Sequence, residues 1–253
     1  MILHGTEAGE GLPLVLLHGL FGSARNFASV QRQFARRFRC IALDLRNHGA
    51  SPHDPAMSYE AMADDVLDTL AGRAALPAMV LGHSMGGKVA MRLALERPDA
   101  ARRLIVADIA PVPYKPAFRE LAAALQALPL TPGLTRAAAD AQLAVAIPDA
   151  GLRAFLLQNL RIGERPGWRM GLREIASALP MIEGWEARDG AIYRGPTLYI
   201  AGARSDYIRP EHRPAIGALF PAARFVTVKD AGHWIHAENP VGFVGVVEGF
   251  LSK

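Results

Sequence analysis

The stretch Ala78-Met79-Val80-Leu81-Gly82-His83-Ser84-Met85-Gly86-Gly87 joins an apolar run to the pattern Gly-x-Ser-x-Gly. The apolar run predicts a buried strand, and apolar side chains recur at helical spacing after Gly87. Glycines on both sides of Ser84 suit a strand-to-helix turn that is too tight for side chains. Such a turn exposes the serine hydroxyl, which predicts that Ser84 is a nucleophile. The alternative is a glycine-rich turn whose serine only caps the following helix.

A serine nucleophile requires a base and donors for the oxyanion, and both ends of the chain offer candidates. The strand-like run 225–228 is followed by a loop that carries His233. The run 14–17 opens into His18-Gly19-Leu20-Phe21-Gly22, a glycine-rich turn that can present a free amide. We therefore predict His233 as the general base and then acid. We predict the amides of Leu20 and Met85 as the oxyanion hole, with Phe21 as the alternative to Leu20.

Several strings of this chain resemble those of the α/β-hydrolase superfamily, in which the oxyanion turn, serine, acid and histidine follow one another in this order. They are His18-Gly19-Leu20-Phe21-Gly22-Ser23, Asp44-Leu45-Arg46-Asn47-His48-Gly49-Ala50-Ser51, the stretch around Ser84, Asp108-Ile109-Ala110-Pro111-Val112 and Ala231-Gly232-His233-Trp234-Ile235-His236-Ala237-Glu238. The resemblance covers nearly the whole chain except its middle. Two features narrow this resemblance to YbfF-type bacterial esterases and their mitochondrial relatives. They are Asn47, at a position where the superfamily usually has glycine, and the Asp-Ile-Ala-Pro string.

The acid that holds His233 has two candidates. In most of the superfamily it lies three residues after the glycine that ends the next-to-last strand, and counting from Gly202 this position is Ser205. Asp206 is one residue late, which directs its side chain to the opposite face of an extended segment. Asp108 ends the apolar run 104–107, and the resemblance implies that the acid is there. We predict Asp108, keep Asp206 as the alternative, and expect Ser205 to add a hydrogen bond to His233.

Short apolar runs alternate with helical patterns, which predicts an α/β fold with a mostly parallel sheet and helices on both faces. The predicted strands are 14–17, 40–43, 78–81, 104–107, 197–201 and 225–228. The predicted helices are near 25–37, 59–71, 88–96, 211–219 and 241–251. Because the segment before Leu14 is short, we expect only one of the antiparallel strands that usually begin the α/β-hydrolase fold.

The alternation stops between Pro113 and Arg194, where helical patterns are interrupted by prolines. We predict an all-helical lid over the carboxyl ends of the strands. The expected organisation is a core formed by 1–112 and 195–253, with the lid at 113–194. Lid residues that could line an acyl pocket, or instead pack the lid on itself, are Leu156, Leu160, Trp168, Met170 and Met181.

Hydrophobic residues make up 51% of the 253 residues, which is enough for one sizeable core and excludes a disordered chain. The net charge is +4. The arginines are scattered, so we expect no nucleic-acid partner. We see no signal peptide or membrane-spanning run, and we expect a cytoplasmic protein without a membrane partner. Nothing in the sequence indicates an oligomeric state. His/Cys/Asp spacing typical of a metal site is missing, and the mechanism requires no cofactor.

These patterns predict a serine hydrolase that cleaves carboxylic esters or thioesters of short to medium acyl chains through an acyl-enzyme on Ser84. The same triad also serves carbon–carbon bond hydrolases and perhydrolases, which stay open as alternatives. A non-catalytic ligand-binding protein on this fold is the alternative from a different class.

Overall fold

A seven-stranded sheet forms the centre of the computed structural model, which describes residues 1–252. Lys253, the last residue of the predicted second part of the core, lies outside the described residues. The strands are β1 (Gly5–Ala8), β2 (Pro13–Leu17), β3 (Arg39–Leu43), β4 (Ala78–His83), β5 (Ala101–Ala107) and, after a long connecting segment, two more. These last strands, Thr197–Gly202 and Ala223–Val228, are numbered β8 and β9 because two short strands precede them.

The sheet has the order β1-β3-β2-β4-β5-β8-β9. Only β1 runs antiparallel to its neighbour; every other pair in this sheet is parallel. The prediction of a mostly parallel sheet with one antiparallel strand at its start is confirmed. All predicted strands are present, and most extend by one to three residues beyond the apolar runs.

Helices cover both faces of the sheet, as expected. Successive side chains of a strand point to opposite faces, so Val15 and Leu17 belong to one core and Leu14 and Leu16 to the other. The helices α2 (Tyr59–Gly72) and α3 (Met85–Glu96) pack on the first face. The opposite face carries α1 (Ala28–Phe34), α10 (Pro240–Leu251) and the short α9 (Ile235–Glu238), while α8 (Arg213–Leu219) packs Ile216 on the first face.

The connecting segment between β5 and β8 holds four helices, α4 (Arg119–Ala127), α5 (Arg136–Leu143), α6 (Ala150–Leu157) and α7 (Leu172–Glu183). It is not all-helical, because β6 (Leu160–Arg161) and β7 (Gly167–Trp168) form a short antiparallel pair. One of the prolines, moreover, does not interrupt a helix. Pro180 lies inside α7, close to its end, where the lost N–H removes a single bond of the last turns.

Contacts with the core place the connecting segment over the carboxyl ends of the strands. The Asn159 side chain donates to the Phe21 carbonyl at 2.7 Å, just beyond the end of β2. The Tyr59 hydroxyl donates to the Ile182 carbonyl at 2.6 Å. Lys88 Nζ donates to the Gly184 carbonyl, also at 2.6 Å. Among residues 1–252, no helix has the length and apolar character needed to cross a bilayer.

Candidate active site

Ser84 occupies the sharp turn between the end of β4 and the start of α3. Its backbone has φ 53° and ψ −122°, a left-handed conformation that is strained for a residue with a side chain. A Cβ atom at Gly82 would overlap the backbone of Gly86. The turn can therefore close only because Gly82 and Gly86, two residues on either side of Ser84, lack side chains. Within the described residues, the Ser84 hydroxyl forms no hydrogen bond, and Ser84 lines the two cavities described below.

His233 lies in the loop between β9 and α9, and its Nδ1 lies 2.7 Å from Oδ2 of Asp108. Asp108 is fully buried directly after β5 and has a left-handed φ of 55°. Gly202 N, at the end of β8, donates to the other oxygen of Asp108 at 3.2 Å. Nδ1 of His233 thus donates to a buried carboxylate, which leaves Nε2 free to accept a proton.

The structure brings Asp108, and not Asp206, into contact with His233. The Asp206 carboxylate has no hydrogen-bond or ion-pair partner among residues 1–252, although it lines one of the cavities. The expected bond from Ser205 to His233 is wrong. The Ser205 hydroxyl instead donates to Oδ2 of Asp108, because it extends from the β8 side toward the carboxylate that follows the neighbouring strand β5.

Leu20 and Phe21, the two oxyanion candidates from the N-terminal turn, differ in whether the backbone N–H already has an acceptor. Phe21 N already donates to Nε2 of His48 at 3.2 Å, so it cannot serve an oxyanion without losing that bond. Within the described residues, the amides of Leu20 and Met85 have no acceptor, and both residues line the cavity that contains Ser84. The geometry therefore favours Leu20 over Phe21.

Four other histidines surround the site and have structural roles. Burial lowers the pKa of His48 to about 3 and that of His236 to about 4. Burial also lowers the pKa values of His18 and His83, so all four rings are neutral near pH 7. His83 Nε2 donates to the backbone carbonyl of His233 at 2.8 Å. The residue before Ser84 thus positions the loop of His233.

Two cavities meet at Ser84 and His233. One cavity, of about 410 Å³, is lined by residues that include Lys88, Lys115, Arg204, Arg209, Glu183 and Asp206. The other, of about 280 Å³, is more apolar and is lined by residues that include Phe21, Phe27, Leu121, Leu152, Phe155 and Trp234. An ester bound at Ser84 therefore meets a cavity with several charged side chains on one side and a more apolar cavity on the other.

The five lid residues considered for an acyl pocket line neither of these cavities. Leu156, Leu160 and Met170 are buried in the core instead, so for them the packing alternative holds. Sequence reasoning missed Phe155, which is the immediate neighbour of Leu156 and turns to the cavity. It also missed Tyr207, whose ring stacks on His233 with 4.1 Å between centroids. No motif singles out either residue, because a cavity wall depends on how separate elements meet.

A family model described as alpha/beta hydrolase fold matches residues 13–240, so this chain belongs to the α/β-hydrolase family. The sn-1-specific diacylglycerol lipase ABHD11 of Mus musculus is 42% identical over 248 residues, which cover 94% of this chain and 80% of the mouse protein. Esterase YbfF of Escherichia coli (strain K12) is 37% identical over 241 residues, covering 95% of this chain and 93% of YbfF. The predicted resemblance is confirmed.

Solved structures agree with this assignment. A marine microorganism esterase superposes with a TM-score of 0.95 at 34% sequence identity, covering 98% of this chain and 99% of the esterase. E-2-(acetamidomethylene)succinate hydrolase reaches a TM-score of 0.82 at 21% identity, which supports the fold alone.

Proposed function

We propose that this chain is a serine hydrolase that cleaves carboxylic esters and thioesters of short to medium acyl chains through an acyl-enzyme on Ser84. It belongs to the carboxylic-ester hydrolases, since relatives across 94% or more of its length are named esterase or lipase. One observation supports the proposed mechanism most directly. The bond between His233 Nδ1 and the buried Asp108 carboxylate lies beside the cavity that contains Ser84.

In the proposed reaction, His233 Nε2 takes the Ser84 proton while Oγ attacks the ester carbonyl carbon. Negative charge then develops on the carbonyl oxygen. The amides of Leu20 and Met85 are free to donate to it, and each such donor stabilises the transition state by about 3 kcal/mol. The protonated His233 gives its proton to the leaving alcohol or thiol. Water then releases the acyl group in a second, equivalent cycle.

We further propose that residues 113–194 act as a lid that encloses the substrate. Three observations support this role. The segment packs over the carboxyl ends of the strands, Phe155 and Leu152 from α6 line the apolar cavity, and the Asn159 side chain holds the oxyanion turn through the Phe21 carbonyl. The apolar cavity of about 280 Å³ suits a hydrocarbon chain of limited length.

The test is hydrolysis of 4-nitrophenyl butyrate together with labelling by a fluorophosphonate probe. The wild-type chain should turn over the ester and accept one label on Ser84. Ser84→Ala should stay folded, lose the label and lose on the order of 10⁴-fold or more in turnover. Ser177→Ala removes an exposed hydroxyl on α7 and is the matched serine control, which should keep both the label and the turnover. A wild-type chain that neither labels nor turns over would favour a non-catalytic ligand-binding protein.

A further inference from the structure

A surface groove continues the apolar cavity away from Ser84. The groove, of about 440 Å³, lies between α6 and α9 and is also lined by Arg25 and Asn26. It shares Asn26, Phe155, Trp234 and His236 with the apolar cavity, but Ser84 is not among its lining residues. The two spaces therefore have part of their walls in common.

Two contacts between the connecting segment and the core close this boundary. The rings of Phe155, on α6, and Trp234, next to His233, have centroids 5.7 Å apart at an interplanar angle of 49°. Beside them, Asn26 Nδ2 lies 3.4 Å from Oε1 of Gln158, one turn along from Phe155. Both aromatic side chains are only partly buried, and both line the cavity as well as the groove.

Both spaces have apolar walls on their own side of this boundary. On the inner side, apolar side chains such as Phe27, Leu121 and Leu152 line the cavity. On the outer side, Ala154 and Ala237 line the groove, together with the charged residues Arg25 and Glu238. A hydrocarbon chain gains free energy with each methylene that leaves water for an apolar wall. The gain should stop where the chain reaches the Phe155–Trp234 contact.

We propose that Phe155 and Trp234 form the wall that limits the length of the acyl chain. Accordingly, removal of either ring joins the cavity to the groove and admits longer chains. This proposal rests on the proposed function, because it takes the acyl chain of a Ser84-bound ester as the occupant of the apolar cavity. It adds the residues that determine specificity and the direction in which the chain extends.

The test is kcat/KM for the 4-nitrophenyl esters of butyrate, octanoate, laurate and palmitate. In the wild-type chain, kcat/KM should decrease as the acyl chain lengthens from octanoate to palmitate. Phe155→Ala should raise the ratio of laurate to butyrate kcat/KM at least tenfold. Trp234→Leu, which keeps an apolar side chain beside His233, should change the ratio in the same direction. Phe225→Ala, a matched loss of a phenyl ring on β9 away from both spaces, should leave the ratio unchanged.

A variant with the opposite effect guards against a Phe155→Ala chain that does not fold. Leu152→Trp fills the cavity from the α6 side, so it should lower octanoate kcat/KM at least tenfold relative to butyrate. A laurate-to-butyrate ratio that stays within twofold in both Phe155→Ala and Trp234→Leu, with butyrate still hydrolysed, would overturn the proposed wall. A wild-type chain that hydrolyses none of the four esters would instead overturn the proposed function, and this inference with it.

Discussion

Oδ2 of Asp108 lies 2.7 Å from Nδ1 of His233, although 125 residues separate the two in the chain. The carboxylate is fully buried, and it accepts further hydrogen bonds from Gly202 N and the Ser205 hydroxyl. A buried carboxylate with several donors holds the imidazole in one orientation and one tautomer. That tautomer leaves Nε2 as the acceptor on the side of the ring away from Asp108.

Replacement of Asp108 by asparagine should reduce ester kcat by about 10⁴-fold, because the amide has nearly the same size but favours the wrong tautomer of His233. The measurement is steady-state hydrolysis of 4-nitrophenyl butyrate. Asp206→Asn is the matched control, and it should cost less than about tenfold because Asp206 does not contact His233. The opposite ranking would place the acid on the loop after β8.

Ser205→Ala should reduce kcat by about tenfold, since the hydroxyl holds the Asp108 carboxylate and does not contact His233. Its effect should disappear when Asp108 is already asparagine, because groups that act through one another are not additive. A double-mutant cycle on kcat measures this coupling. Equal losses from Ser205→Ala in both backgrounds would mean that the hydroxyl acts independently of Asp108.

His236→Phe should make the protein less sensitive to acid. Burial, followed by the proximity of the His233 ring, lowers the pKa of His236 to about 4, and Nδ1 of His236 is buried without a hydrogen-bond partner among residues 1–252. The unfolded chain binds a proton near pH 6.5 that the folded chain does not bind. The free energy of unfolding therefore falls as the pH drops from 6.5 toward 4, by up to about 1.4 kcal/mol per pH unit for this ring.

Urea unfolding at pH 7.5 and pH 5 checks this prediction. Phe27 and Phe243 pack around the ring, so a phenyl group suits the site. The variant should lose less stability than the wild type between the two pH values. It keeps part of the acid sensitivity, because the other three buried histidines remain. An unchanged pH dependence would show that His236 titrates normally in the folded protein.

Lys88→Met should change the pH dependence of stability on the alkaline side. Burial lowers the pKa of the Lys88 ammonium to about 7, while Glu183 acts in the opposite direction. Between about pH 7 and pH 10 the unfolded chain therefore binds the larger number of protons, and the wild type gains stability as the pH rises. The methionine variant lacks this gain, so its stability relative to wild type should decrease from pH 7 to pH 9. The measurement is urea unfolding of both proteins at pH 7, 8 and 9. If Lys88 titrates normally in the folded protein, the free energy of unfolding will change with pH equally in the variant and the wild type.

The strands and the turn at Ser84 were predictable because their causes are local. An apolar run such as 14–17 needs burial wherever it lies, and the glycines around Ser84 are required by the geometry of a single turn. The loop that carries His233 was predictable for the same reason, because it directly follows the apolar run 225–228. Helical patterns in the connecting segment were predictable, but the β6–β7 pair was not, because two residues per strand carry no periodicity.

The sequence by itself determined the α/β class, the family, Ser84 as the nucleophile candidate and His233 as its partner candidate. Only the tertiary structure decided which carboxylate contacts His233, which amide of the oxyanion turn is free, and which side chains line the cavities. Such relationships join residues on different strands and on the connecting segment. Their geometry depends on strand order and packing, and a one-residue offset, as between Ser205 and Asp206, changes which group contacts the carboxylate.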